Sequence, residues 1–133
     1  MKDRQPPKSL TDVGLSMFVD TTKLRELPLP IIEVPLEKMI WQFDLPVWAK
    51  DGTDDWNLTP WDVIKNEPGS IIHRKRMEAA DMGYPIVLTE YKSRLVALDG
   101  IHRLVKAYLQ DKKTIAAKII PSAYLSLDEF QSE

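Results

Sequence analysis

The sequence RLVALDGIHRLVKAYLQDKKTIAAKII occupies residues 94–120 and decides the fold. It begins with an almost continuous apolar run that ends at Asp99, which is typical of a buried strand. After Gly100, apolar residues recur at the spacing of one helix face, at Ile101, Leu104, Val105, Tyr108 and Leu109. A second apolar run covers Thr114–Ile120. We therefore predict a strand, a helix over about residues 101–110 and a strand, with the two strands parallel and joined by a right-handed crossover.

Two features upstream predict a β-hairpin preceded by a helix. The apolar runs Pro85–Glu90 and Arg94–Asp99 are separated by residues 91–93, and their length fits paired buried strands. Before them, residues 71–82 have helical periodicity, and Ser70 is a suitable N-cap. We expect the buried face of this helix to hold Ile71, Ile72, Ala79 and Met82, with Arg74, Met77 and Asp81 pointing away.

The remaining segments complete a small α+β domain. Ile31–Leu36 predicts a first strand, and Pro35 either places it at a sheet edge or ends it. A short helix through Glu37–Phe43 is expected next, and Thr59 and Pro60 suit the N-cap and first residue of another. The predicted fold is a small mixed β-sheet with helices packed on it. The domain covers residues 31–121. Residues 1–30 form an extended N-terminal arm, in which Leu15–Val19 is the one apolar stretch expected to be buried, and residues 122–133 form a C-terminal tail or short helix.

Composition excludes several classes of protein. The chain has 133 residues, which suits one domain, and its net charge of −2 excludes a uniformly basic nucleic-acid-binding surface. The absence of cysteine excludes disulfides, thiolate nucleophiles and cysteine-based metal sites. No signal-peptide core and no apolar run long enough to span a membrane occur. We therefore expect a cytoplasmic protein with no membrane partner.

The turn from Asp99 to Arg103 is the place where chemistry is expected. The start of a helix offers unpaired backbone N–H groups and the positive end of its dipole, so it suits an anion. The candidate phosphate-binding residues are Gly100, Ile101, His102, Arg103 and Lys106. Asp99 is a candidate ligand for a Mg²⁺ ion that bridges phosphates. The alternative is that Asp99 only caps the helix and that His102 and Arg103 are solvated.

The D-G-I-H-R box at Asp99–Arg103, followed by an amphipathic helix and a closing strand, resembles the ParB/sulfiredoxin superfamily. Tyr84–Leu88 is similar to the P-I-x-V strand of that superfamily, and Ile32–Leu36 to its first strand. The resemblance implies a ParB/sulfiredoxin-like fold and nucleotide phosphate contacts from Gly100, His102 and Arg103. Activities in the superfamily include CTP binding and hydrolysis, ATP-dependent phosphoryl transfer and nuclease activity.

This sequence departs from the superfamily pattern at several positions, and these differences reduce the number of activities that the resemblance implies. Sulfiredoxins carry their catalytic cysteine where this chain has Ile101, so that activity is excluded. The chain ends soon after residue 121, so we expect a stand-alone member without the DNA-binding domain of partition proteins. The related serine kinases use a carboxylate near the first strand. Glu33, Glu37 and Asp44 are all candidates for it, and we take Glu37 with Asp99 as the candidate catalytic pair.

The leading hypothesis is therefore a domain that binds a nucleoside triphosphate with Mg²⁺, and NTP hydrolysis and phosphoryl transfer to a small molecule both stay open. The alternative is a non-catalytic module that binds nucleic acid or a protein. Catalysis requires a carboxylate from the first strand or from the helix that follows it, within metal reach of Asp99, whereas a binding module requires only a basic face from Arg103 to the run His73–Arg76. The oligomeric state stays open.

The four tryptophans are candidates for stacking a base or for core packing, and they are Trp41, Trp48, Trp56 and Trp61.

Overall fold

The computed structural model of the chain describes residues 8–12, 20–127 and 129. The described strands are β1 (Ile32–Pro35), β2 (Ile86–Tyr91), β3 (Arg94–Asp99) and β4 (Thr114–Ile120). The described helices are α1 (Lys8–Thr11), α2 (Thr21–Arg25), α3 (Pro60–Ile64), α4 (Ile71–Ala79), α5 (Ile101–Leu109) and α6 (Ser122–Leu125). Two 3₁₀ turns, Leu36–Lys38 and Ile40–Asp44, stand where one short helix is predicted.

The four strands form one mixed sheet in the order β1-β4-β2-β3. β2 and β3 form the predicted antiparallel hairpin, β4 runs parallel to β2, and β1 lies antiparallel to β4 at the edge that Pro35 predicts. One face packs against the 3₁₀ turns and helices α3 to α5, and α2 and α6 cover the other. The prediction of an α+β domain with a small mixed sheet and packed helices is confirmed.

The predicted relation between β3 and β4 is wrong. They are antiparallel and not adjacent, because β2 lies between them and is the parallel neighbour of β4. β3 ends beside the start of β2, where Asp99 pairs with Val87. β4 enters at the same end of the sheet, with Ala117 beside Ile86. The chain therefore leaves the sheet at the end of β3, passes through α5, and re-enters the sheet at the same end as β4.

Helix α4 buries a different face from the one predicted. Ile71 and Ile72 are 61% and 47% exposed, whereas His73 and Met77 are buried. The helix also ends at Ala79, shorter than predicted. Burial of His73 depends on partners that the sequence pattern does not reveal, since its ring stacks on Trp48 and bonds to a second histidine.

The cap of α4 comes from a distant loop. The Asp51 carboxylate accepts hydrogen bonds from the backbone N–H groups of Ile71 (3.0 Å) and Ile72 (3.1 Å). Ser70, the predicted N-cap, donates instead from its hydroxyl to the carbonyl of Glu67 (2.6 Å). A carboxylate at a helix N-terminus is favourable because it complements the dipole. The loop before α3 is thereby fixed to the start of α4.

The predicted start of α3 is confirmed. Thr59 Oγ1 accepts a hydrogen bond from the backbone N–H of Asp62 (3.1 Å), and the Asp62 carboxylate accepts one from the backbone N–H of Thr59 (2.9 Å). Pro60 occupies the first helical position. This reciprocal capping box satisfies two N–H groups that the helix leaves unpaired.

The outer edge of β3 is covered by one side chain. Gln42, which is fully buried, donates from Nε2 to the carbonyl of Leu95 (3.1 Å) and accepts at Oε1 from the N–H of Ala97 (2.8 Å). These two backbone groups point away from β2, so the amide takes the place of a further strand. The Gln42 side chain therefore satisfies polar groups that would otherwise be buried and unpaired.

Part of the predicted extended arm is helical and packed on the sheet. Leu24 of α2 is fully buried against Val87 and Ile120. Lys118 Nζ donates to the carbonyls of Arg25 (2.6 Å) and Leu27 (2.9 Å) and so fixes the end of α2. Leu15–Val19 lies outside the described residues. No helix in the described parts of the chain is long and apolar enough to cross a membrane.

Candidate functional site

The turn between β3 and α5 depends on Gly100. Its φ of +103° lies in the left-handed region, which favours glycine. A Cβ atom at this position would lie 2.5 Å from Cγ2 of Ile86, so the backbone passes directly against β2. The first helical hydrogen bond runs from the N–H of Leu104 to the carbonyl of Gly100 (2.9 Å). The N–H groups of residues 101–103 have no partner within the helix and point outward from its start.

The guanidinium group of Arg103, a predicted phosphate ligand, is hydrogen-bonded to groups of the protein. Its Nη1 donates to the carbonyls of Tyr84 (2.9 Å) and Pro85 (3.0 Å), and its Nη2 donates to Asp99 Oδ2 (3.1 Å). The side chain is only 12% exposed. Arg103 therefore connects the end of β3, the start of α5 and the segment that leads into β2.

The ammonium group of Lys106, another predicted phosphate ligand, is also hydrogen-bonded to groups of the protein. Its Nζ donates to the carbonyls of Glu78 (2.7 Å) and Ala80 (2.9 Å), at the C-terminal end of α4. A cation at a helix C-terminus is favourable because the last carbonyls lack partners within the helix. Lys106 therefore fixes α4 against α5 and does not line the cleft described below.

His102 and His73, the histidine pair, lie side by side on Trp48. His73 Nδ1 and His102 Nε2 are 3.0 Å apart, which is hydrogen-bond distance. Both rings stack on the Trp48 indole, with centroid distances of 4.7 Å for His73 and 4.5 Å for His102. Burial, then His73, then Arg76 lower the pKa of His102 from 6.5 to about 4. Burial and Arg76 also lower the pKa of His73, and Asp51 opposes them.

We expect the histidine pair to make the fold sensitive to acid. The unfolded chain takes up a proton on His102 near pH 6.5, whereas the folded chain does so near pH 4. Stability is therefore complete above about pH 6.5 and is lost as the pH falls toward 4. Between pH 7.5 and pH 5 the loss is about 1–2 kcal/mol, after a reduction for the partial exposure of the ring.

Urea denaturation at these two pH values measures the loss. In a His102→Gln variant the pH dependence should shrink, since the group that titrates is gone. A wild-type unfolding free energy that stays constant from pH 7.5 to pH 5 would contradict this role for the pair.

A cleft of about 300 Å³ opens at the N-terminal end of α5, and we call it the arginine cleft. Its lining residues are Arg25, Arg76, Ala80, Asp81, Tyr84, Asp99, Gly100, His102 and Arg103. The three guanidinium groups come from α2, α4 and α5. Arg25 Nη1 lies 3.7 Å from Asp99 Oδ2, and the Arg76 side chain has no hydrogen bond or ion pair with any residue that the structure describes.

The structure brings together four of the predicted site residues and separates the others. Asp99, Gly100, His102 and Arg103 line the arginine cleft. Ile101 packs against the core. The predicted basic face is only partly present, because Arg76 reaches the cleft while His73 turns inward. Among the tryptophans, Trp48 contacts the histidine pair, and the partly buried Trp61 packs on Phe43 and Tyr108 beside the core.

The structure does not bring the first-strand carboxylates to Asp99. Glu37 lines a separate cleft with Thr114, beside the loop that follows α5. Glu33 accepts a hydrogen bond from Thr114 Oγ1 (2.8 Å) on the same side of the molecule. Asp44 ends the second 3₁₀ turn and does not line the arginine cleft. β4 and β2 lie between β1 and β3, so the candidate pair of Glu37 and Asp99 does not share one site.

Arg25 is a site residue that the sequence analysis missed. It lies 74 positions before Asp99, in the segment predicted as an extended arm. Burial of Leu24 and the bonds from Lys118 place it at the cleft, and neither is visible as a local pattern. No motif marks this residue.

The Asp99 carboxylate does not fit the predicted role of a Mg²⁺ ligand. Its Oδ2 accepts a hydrogen bond from Arg103 and lies near Arg25, so two cations already neutralise it. Among the described residues, no group of three or more His, Asp or Glu side chains is arranged to hold a metal ion. Mg²⁺ is usually bound by one or two carboxylates together with water and substrate phosphates, and here the Asp99 oxygen Oδ2 is already bonded to Arg103. The arrangement suits an anion better than a cation.

Comparison with known proteins adds no family assignment. No protein-family model matches the chain, and searches of the curated proteins and of the solved structures find no match either. Interpretation of the arginine cleft therefore depends on its own geometry and on the residues of the D-G-I-H-R box.

Proposed function

We propose that this chain binds the phosphate groups of a nucleotide in the arginine cleft. The observation that carries the proposal is the convergence of Arg25, Arg76 and Arg103 on the N-terminal end of α5. Guanidinium groups bind phosphate oxygens in pairs, and the backbone N–H groups of the helix start add further donors. The D-G-I-H-R box is consistent with this ligand, because the superfamily that it resembles binds nucleotide phosphates there.

The charges around the cleft favour an anion. Three arginines face two carboxylates, Asp81 and Asp99, and the dipole of α5 adds positive potential. Arg103 is already bonded to protein groups, so Arg76 is the cation most available to a ligand and Arg25 is the next. In this proposal Arg76 supplies the principal phosphate contact, and Arg103 shapes the site.

Binding, and not turnover, is the activity that we propose. Glu37 and Glu33 lie away from the cleft, and Asp99 is paired with arginine, so we assign neither a catalytic base nor a metal-dependent step. A cleft of about 300 Å³ is at the lower end of small-ligand sites. The net charge of −2 also favours a small phosphate ligand over a nucleic-acid duplex.

Replacing Arg76 with glutamine tests the proposal. Calorimetric titration with ATP, CTP, GTP and UTP in EDTA should show binding to the wild type. The Arg76→Gln variant should bind 10- to 100-fold more weakly, since a charge-assisted hydrogen bond contributes about 1.5–3 kcal/mol. Its thermal stability should be unchanged, because the described structure gives Arg76 no bonded partner.

The matched control is Lys75→Gln, which removes the same charge from the same helix at an exposed position outside the cleft. That variant should keep the wild-type affinity. Equal affinities of the wild type and Arg76→Gln, or no binding by any of the four nucleotides, would contradict the proposal. Binding of a single-stranded oligonucleotide without any mononucleotide binding would favour the nucleic-acid alternative.

A further inference from the structure

We propose that anion binding in the arginine cleft is coupled to the uptake of one proton by the histidine pair. This inference depends on the proposed anion site. His102 provides the connection, because its ring lines the cleft and is also hydrogen-bonded to His73. An anion in the cleft therefore lies beside a group that changes charge on protonation.

The geometry of the pair suits one added proton. The 3.0 Å contact uses Nδ1 of His73 and Nε2 of His102, so one nitrogen donates and the other accepts. With one extra proton on the pair, this hydrogen bond persists and becomes charge-assisted, hence stronger. A second proton would place two N–H groups against each other and break the bond. The pair therefore titrates as a unit that takes up a single proton.

Two further contacts favour the protonated pair. Both rings lie parallel to the Trp48 indole at stacking distance. An imidazolium on an indole face gains a cation–π interaction that neutral imidazole lacks. Nδ1 of His102 makes no hydrogen bond to any described residue, and because His102 lines the cleft we assign this nitrogen as a donor to the ligand.

Burial and the charged groups around the pair explain why it is neutral without a ligand. Burial disfavours the charged form of both rings most strongly; for His102 the charge of His73 comes next, and Arg76 of α4 acts in the same direction on both rings. Asp51, in the loop before α3, favours protonation of His73. On α5, Arg103 and Lys106 are bonded to protein acceptors, and Asp62 of α3 is bonded in its capping box. Outside the pair, Arg76 is therefore the charge that opposes protonation, and because it lines the cleft we expect a bound anion to neutralise it.

Sulfate is the appropriate probe, because it keeps both negative charges throughout the pH range of the experiment. The chain has only two histidines, so the ring Cε1–H resonances of both can be followed by NMR. Titration with and without saturating sulfate should show the pKa of the pair rising by about one unit when sulfate is bound. By thermodynamic reciprocity, the protonated protein should then bind sulfate about tenfold more tightly than the neutral protein.

The Arg76→Gln variant provides a second measurement. Without sulfate, its histidine pair should titrate at a higher pH than in the wild type, since the opposing cation is absent. The further rise caused by sulfate should be smaller than in the wild type. Lys75→Gln, outside the cleft, should reproduce the wild-type shift.

The outcomes separate the two proposals. A sulfate-dependent pKa rise in the wild type that shrinks in Arg76→Gln would establish the coupling. Calorimetric binding of sulfate with unchanged histidine titration would overturn the coupling and leave the anion site in place. No binding of sulfate or nucleotide at any pH would overturn the proposed function and this inference with it.

Discussion

Replacing Gly100 with alanine is expected to destabilise the fold by about 3–5 kcal/mol. The φ of +103° disfavours any L side chain at this position. The new Cβ would also lie 2.5 Å from Cγ2 and 2.9 Å from Cβ of Ile86, a fully buried residue of β2. Because the backbone and Ile86 are both confined, relief of the overlap requires displacement of α5 or β2. Urea denaturation monitored by circular dichroism measures the loss.

The matched control is Gly52→Ala. Gly52 also has a positive φ, of +76°, but a Cβ there would meet no atom within 4 Å. That variant should lose only about 1 kcal/mol, the cost of the backbone conformation alone. If Gly100→Ala were no less stable than Gly52→Ala, the close packing of the turn on β2 would be wrong.

Replacing Gln42 with methionine is expected to cost about 2–4 kcal/mol. Methionine keeps the length of the side chain but leaves the buried Ala97 N–H and the partly buried Leu95 carbonyl without partners. Each buried group left unpaired costs about 1–3 kcal/mol, and part of that cost is recovered by the apolar side chain. Urea denaturation again gives the stability.

The same substitution at the exposed residue Gln110 is the control, and it should change stability by less than about 0.5 kcal/mol. Amide hydrogen exchange gives an independent reading, since the Ala97 N–H should exchange faster in Gln42→Met. Full protection of that amide in the variant would show that another group replaces the glutamine.

Local patterns predicted the four strands and helices α3 and α5 correctly. The switch from a continuous apolar run to helical spacing across Gly100 identified β3, α5 and β4, and Thr59 and Pro60 marked the start of α3. These signals succeed because each depends on residues within one or two turns of the chain. The hairpin is equally local.

Relations between distant elements could not be predicted in this way. Both strands of the hairpin are apolar and suitable neighbours for β4, and no local pattern selects β2. On α4, a buried histidine takes the place of the isoleucines because Trp48 and His102 provide its partners. Asp51 caps that helix from 20 positions away. Such choices depend on which surfaces meet in three dimensions.

The sequence indicated where cationic side chains gather at a helix start, but not which of them are bonded within the protein. The residue types at Asp99–Arg103 indicated a cationic turn at a helix start, and the structure has one. The acceptors of Arg103 and Lys106 are backbone carbonyls, which every residue carries, so the sequence does not distinguish a bonded cation from a free one. In the proposed site, Arg76 and Arg25 therefore take the role that the local pattern assigned to Arg103 and Lys106.

Both edges of the sheet are poorly suited to pairing with a strand of another molecule. An open edge invites a strand from another molecule, which leads to self-association. On β3 the Gln42 amide occupies the hydrogen-bonding groups that an incoming strand would use. On β1, Pro35 lacks the N–H that such a strand would need, and the strand is only four residues long. Strand addition at either edge, which is the first step toward fibrous aggregates, is therefore disfavoured.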